Sequence, residues 1–124
     1  MKMRVISTVN APAAIGPYSQ GYVTETLVFC SGQIPVNPED GSIPATIEEQ
    51  AEQSCKNVQA VIEAGGVTIG KVVKTTCFLA DMGDFAAFNA VYEKYFVSKP
   101  ARSCVAVKDL PKGVLCEIEA IAEI

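Results

Sequence analysis

Arg102, with Glu117 and Glu119 beyond it, is the set of side chains in this sequence best able to do chemistry. The run Pro100-Ala101-Arg102-Ser103-Cys104 places a permanently charged guanidinium where a β-prone segment begins. The planar fork of an arginine matches a carboxylate in two parallel hydrogen bonds. Glu117 and Glu119 follow after one short connection. If the two segments form a hairpin turning near residues 110–111, Cys104 falls opposite Glu117 and Arg102 opposite Glu119. Opposed residues share a face with side chains about 5 Å apart, and Glu117 then lies diagonal to Arg102. A slip of one residue would break this arrangement. A cation facing two acids inside a small protein is the kind of local inconsistency expected at a working site.

What the chain lacks narrows the chemistry. Its 124 residues contain no histidine, which removes Ser-His-Asp hydrolases, Cys-His proteases and nearly every catalytic zinc site. Proton transfer must then use Glu, Asp, Tyr, Cys, Lys, backbone or water. No metal site is expected. The net charge is −4 and the pI about 4.8, which argues against a nucleic-acid partner. Five cysteines, at 30, 55, 77, 104 and 116, are odd in number, scattered and without a C-x-x-C pair. With no secretory signal in view, they read as reduced thiols in a cytosol. No apolar run approaches the roughly 18–20 residues of a membrane span, so no membrane association is expected. Hydrophobic residues make up 49% of the chain, enough to suggest that some surface is hidden in an oligomer.

The elements that must position these residues follow from local patterns. Residues 4–7 are β-prone. Residues 8–20 form a loop ending Ile15-Gly16-Pro17-Tyr18-Ser19-Gln20, and 21–24 and 27–31 make a hairpin about Glu25-Thr26. Residues 33–45 are a loop punctuated by prolines and Asp40-Gly41. Thr46-Ile47-Glu48-Glu49 is a capping box opening an amphipathic helix that Gly65-Gly66 stops. Residues 72–79 form a strand, and Asp81 caps a second helix carrying Phe85, Phe88, Tyr92 and Tyr95, all assigned to the core. Strands over 102–107 and 114–122 complete the order β-β-β-α-β-α-β-β in one domain, residues 1–124. Two helices on six strands predict an α+β fold with both helices on one face of the sheet. In the last strand Cys116, Ile118, Ala120 and Ala122 should face the helices. Leu115, Glu117, Glu119 and Ile121 face the other way, a mixture that suits a subunit interface with a polar pocket.

These segments resemble the RidA/YjgF family of reactive-intermediate deaminases. The resemblance rests on Pro100-Ala101-Arg102-Ser103-Cys104 with Glu117-Ile118-Glu119-Ala120, on Asn10-Ala11-Pro12, and on Ile15-Gly16-Pro17-Tyr18-Ser19-Gln20-Gly21. It extends to Ser31-Gly32-Gln33-Ile34-Pro35, Val73-Lys74-Thr75-Thr76 and Asn89-Ala90-Val91-Tyr92, in order along essentially the whole chain. It implies a chorismate-mutase-like fold, a mostly antiparallel six-stranded sheet, and a homotrimer with clefts between subunits. It implies hydrolysis of 2-aminoacrylate, 2-iminopropanoate or 2-iminobutanoate to 2-keto acids and ammonia. Such intermediates escape from pyridoxal-phosphate enzymes, and no cofactor is needed. Arg102 is then the carboxylate clamp and Glu117 the positioner of the attacking water. Tyr18, Ser31, Gly32, Asn89 and Cys104 line the cleft. Two departures stand out: the link 96–99 is shorter than in many relatives, and Cys116 replaces an aliphatic residue.

Plainer readings accompany each role. Glu117 can serve only to neutralise Arg102, and Glu119 to be solvated. Asn89 can be a helix-surface amide. Cys104, with no histidine as base, is read as a lining residue rather than a nucleophile. For the whole protein, a non-catalytic trimeric binder or sensor of 2-keto acids or other small carboxylates remains the alternative. Endoribonuclease activity, a label attached to some family members, fits poorly with an acidic chain that has no histidine.

Overall fold

The computed structural model describes residues 3–124. Six strands build one sheet: β1 (Arg4–Ile6), β2 (Gly21–Val23), β3 (Leu27–Gln33), β4 (Val72–Leu79), β5 (Ala101–Ala106) and β6 (Cys116–Glu123). Two helices, α1 (Ile47–Ala64) and α2 (Phe85–Tyr95), pack on it. The strand order is β1-β2-β3-β6-β4-β5. Every neighbouring pair is antiparallel except β4 with β5, which is parallel. The expected α+β architecture and its mostly antiparallel sheet are therefore present.

The expected β5–β6 hairpin is not. β4 lies between the two strands: Thr75 pairs with Arg102 on one side and Ala120 on the other, and Thr76 with Ser103 and Glu119. Strands two places apart stand about 10 Å from one another. Arg102 is thus neither opposite Glu119 nor diagonal to Glu117, and Cys104 pairs with Cys77 rather than Glu117. The cause is the strand–helix–strand unit β4–α2–β5. A long crossover through a helix returns the chain parallel and adjacent to the strand it left. β6 then fills the slot between β3 and β4.

The core lies between the sheet and the helices. α1 buries Ile47, Ala51, Cys55, Val58, Val61 and Ile62, the apolar stripe of a 3.6-residue period. Cys116, Ile118, Ala120 and Ala122 of β6 are buried against it, as their alternation predicts. Each fully buried Val, Ile or Phe side chain contributes about 1.5–3 kcal/mol.

Thr46 caps α1: its Oγ1 accepts from the Glu49 N–H at 3.2 Å and donates to Glu49 Oε1 at 3.1 Å. The box therefore closes through the hydroxyl. Thr46→Ala is expected to lower stability by about 1 kcal/mol, read as a drop in the urea midpoint at unchanged slope. At the other end Gly65 meets the sheet so closely that a Cβ there would lie 2.6 Å from Val28 Cγ1. Gly66, at φ +99°, turns the chain out of the helix. Asp81 does not cap α2 directly. It accepts from the Gly83 N–H at 2.8 Å and caps a 3₁₀ turn, Met82–Asp84, that leads into α2.

Among the described residues, no helix covers the face of the sheet away from α1 and α2. Val5, Tyr22, Phe29 and Ile121 are aligned across four strands there. Val5 is 52% exposed, Tyr22 and Phe29 39% each. No helix among the described residues is long and apolar enough to cross a membrane.

Candidate active site

The fold divides the sequence-predicted site residues into two groups on opposite faces of the sheet. Arg102 belongs to the first. Its backbone pairs with Thr75, which is fully buried on the helix side, so the Arg102 side chain also points to that side. There Arg102 Nη1 donates to Asn89 Oδ1 at 2.7 Å. The guanidinium carbon stands 4.7 Å from the ring centre of Tyr92 and 5.5 Å from that of Phe85, within cation–π range. Cys104, two residues along β5, shares this face and is partly buried beside the core. Burial pushes its thiol up, and the Arg102 charge offsets part of that rise. A raised thiol is a poor nucleophile, in keeping with a lining role. A cavity of about 550 Å³ opens next to Arg102, walled by Asn89, Tyr92, Phe96, Val97, Lys99 and Pro100.

Glu117 and its neighbours form the second group. Glu117 alternates with the buried Ile118 and so faces away from the helices, aligned with Phe78 of β4. Gly32 of β3 is in contact with it: any side chain at 32 would collide with Glu117 Oε2. Gly32 and Tyr18 line one further cavity of about 270 Å³. Ser31 donates its hydroxyl to the Ser19 carbonyl at 2.6 Å, and its N–H donates to the Gln20 carbonyl at 2.9 Å. Ser31 therefore ties the 16–20 loop, which carries the exposed Tyr18, to β3. Gln20 locks the same loop from within, accepting from the Thr8 N–H and donating to the carbonyls of Thr8, Ala11 and Pro12. Glu119, two residues from Glu117, is exposed.

The Glu117 carboxyl titrates above the ordinary carboxylate range, first because burial penalises its charge and second because Glu119 repels it. The folded state therefore holds this proton more tightly than the unfolded chain does. The resulting penalty is full above the folded pKa and disappears as pH falls below the unfolded value. Glu117→Gln is expected to raise the melting temperature at pH 7–8, with the gain shrinking toward zero below about pH 4. Scanning calorimetry across that range checks the sign.

Phe85, Asn89 and Tyr92 occupy one face of α2 at the spacing that makes helical neighbours. Phe88 and Tyr92 are buried as core residues, yet Phe85 and Tyr92 also lie against the one arginine of interest. The sequence signal for this second role was their register with Asn89. Among the described residues no group of three or more His, Cys, Asp or Glu side chains is placed to hold a metal ion.

Comparison with known proteins identifies the family. Residues 8–124 match the model of the family described as Endoribonuclease L-PSP. The chain belongs to that family. Within it, the chain is 54% identical over 123 residues to a protein of Escherichia coli strain K12 named 2-iminobutanoate/2-iminopropanoate deaminase, covering 96% of each. The crystal structure of the E. coli YjgF gene product superposes with a TM-score of 0.94 at 52% identity, covering 97% of this chain and 98% of that one. E. coli TdcF, solved with bound serine, superposes with a TM-score of 0.95 at 48% identity over 98% of both chains. The YjgF/RidA assignment read from the motifs holds.

Proposed function

We propose that the protein is an imine deaminase, hydrolysing 2-iminobutanoate, 2-iminopropanoate and 2-aminoacrylate to 2-keto acids and ammonia. The observation that carries this reading is the Arg102 guanidinium, braced by Asn89 and Tyr92 at the wall of an open cavity, in a chain more than half identical to a deaminase of that name. A 2-imino acid is a small carboxylate beside an electrophilic carbon. Arg102 pairs with the carboxylate in two charge-assisted bonds and fixes its plane. Glu117, its pKa raised, holds the water that adds to the C=N carbon and takes its proton. Glu117 passes that proton to the imine nitrogen, giving the carbinolamine; as the C=O bond forms and the C–N bond breaks, the carbinol proton moves through Glu117 to the nitrogen, which leaves as ammonia. Positioning suffices because the imine is already reactive. Tyr18, Gly32, Asn89 and Cys104 line the site, and Ser31 holds Tyr18's loop in place.

Arg102 and Glu117 face opposite sides of one sheet, so a single protomer does not bring them together. The reading therefore includes a homotrimer in which the free edge of β5 on one copy meets the Glu117–Gly32 face of the next. Two features support it: β5 is an edge strand, and the apolar row Val5, Tyr22, Phe29, Ile121 lies open beside the Glu117 group. Residues 1–124 act as one domain, and the free thiols suit the cytosol. Supply of the imine by a pyridoxal-phosphate enzyme belongs to the same reading. An acidic chain without histidine is a poor fit to RNA cleavage.

The test generates 2-iminobutanoate with an amino-acid oxidase and follows its loss above the uncatalysed rate. Enzyme-dependent hydrolysis supports the deaminase. Binding of 2-ketobutyrate without turnover would instead make the protein a carboxylate sensor. Sedimentation equilibrium should give about three times the 13.2 kDa chain mass.

A further inference from the structure

We infer that Tyr92, tethered by Thr75, is a positioning residue that sets the plane of the Arg102 guanidinium. Four links close a ring. The Arg102 backbone pairs with Thr75 across β4 and β5. Thr75 Oγ1 is hydrogen-bonded to Tyr92 Oη at 2.6 Å. The Tyr92 ring lies under the guanidinium, 4.7 Å from its central carbon. The guanidinium belongs to Arg102 again. This inference rests on the reading of Arg102 as the carboxylate clamp.

The ring of contacts has a directional consequence. A stacked aromatic covers the face of a guanidinium and leaves the N–H groups at its edge free. Asn89 takes one of the five N–H donors. The rest stay available in a fixed plane, which becomes the plane of the bound carboxylate. Thr75 and Tyr92 are 0% and 8% exposed, so their mutual bond is largely shielded from solvent. Tyr92 is further held by Phe96, stacked at 4.4 Å between ring centres. A tyrosine needed only for packing would fill the same volume as phenylalanine. The hydroxyl, aimed at the strand position paired with the arginine, is what packing leaves unexplained.

The decisive comparison is Tyr92→Phe and Tyr92→Leu beside Arg102→Ala, assayed with freshly generated 2-iminobutanoate. Tyr92→Leu is expected to raise KM about tenfold with a much smaller change in kcat. Tyr92→Phe, which keeps the ring but loses the tether to Thr75, should fall between, raising KM about threefold. The Arg102 Nε–H signal in nitrogen-15 NMR should be sharp in the wild type and averaged in Tyr92→Leu, a change that mere loss of packing elsewhere does not produce. Should Tyr92→Leu fail to fold, the double variant Tyr92→Phe, Thr75→Val removes the tether with no orphaned hydroxyl. It is then expected to raise KM about threefold and broaden the same signal. If Arg102→Ala raises KM but these variants leave both KM and the Nε–H signal unchanged, the positioning role is overturned and the clamp stands. If Arg102→Ala also leaves KM unchanged, the clamp itself falls.

Discussion

Arg102→Ala is expected to lower kcat/KM for 2-iminobutanoate by about two orders of magnitude. In the proposed mechanism the substitution removes two charge-assisted bonds to the substrate carboxylate, together worth about 2–4 kcal/mol, and each 1.36 kcal/mol is a factor of ten. The same loss should appear in the dissociation constant of 2-ketobutyrate, which carries the carboxylate but not the imine. The fold should survive, because Arg102 is half-buried on an edge strand and its partners Asn89, Tyr92 and Phe85 are held by α2. Arg102→Lys should recover little: an ammonium is a point charge and lacks the fork that fixes the carboxylate plane. A near-wild-type rate for Arg102→Ala would remove the carboxylate clamp from the mechanism.

Mixing two impaired variants should restore activity. In the proposed mechanism Arg102→Ala and Glu117→Gln each remove one half of the site. If the halves come from adjacent copies, a trimer containing both variants holds one site in which Arg102 and Glu117 are intact. Random exchange of equal amounts, by unfolding and refolding together or by co-expression, then yields about a quarter of the wild-type activity. The expectation follows from register: Arg102 aligns with the helix-facing Thr75 and Ala120, while Glu117 lies on the other face against Gly32. If both residues of each site belonged to one copy, mixing would restore nothing. That result would overturn the shared site without touching the imine chemistry. Each parent variant, carried through the same exchange alone, supplies the baseline.

Much of this was legible in the residues. The alternation of Cys116, Ile118, Ala120 and Ala122 gave the buried face of β6. Thr46 and Gly65-Gly66 marked the ends of α1, because capping is decided within a few residues of chain. The motifs around Arg102, Tyr18, Gly32 and Asn89 pointed to the family over the length of the chain. Strand pairing was not legible in the same way. β5 and β6 are neighbours in sequence with a short connection, and local reasoning joins them as a hairpin. The helix between β4 and β5 overrides it, since a helical crossover leaves β5 parallel to β4 and sends β6 elsewhere. Tyr92 likewise reads as core from its spacing alone. Its stacking on Arg102 exists only once β5 lies under α2.

The sequence by itself determined the elements, their inward faces and the residue types available for chemistry, because these depend on near neighbours and on side-chain periodicity. Only the tertiary structure decided that Arg102 and Glu117 stand on opposite faces of the sheet. That depends on which strand lies between them, a long-range choice made by burying both helices on one side.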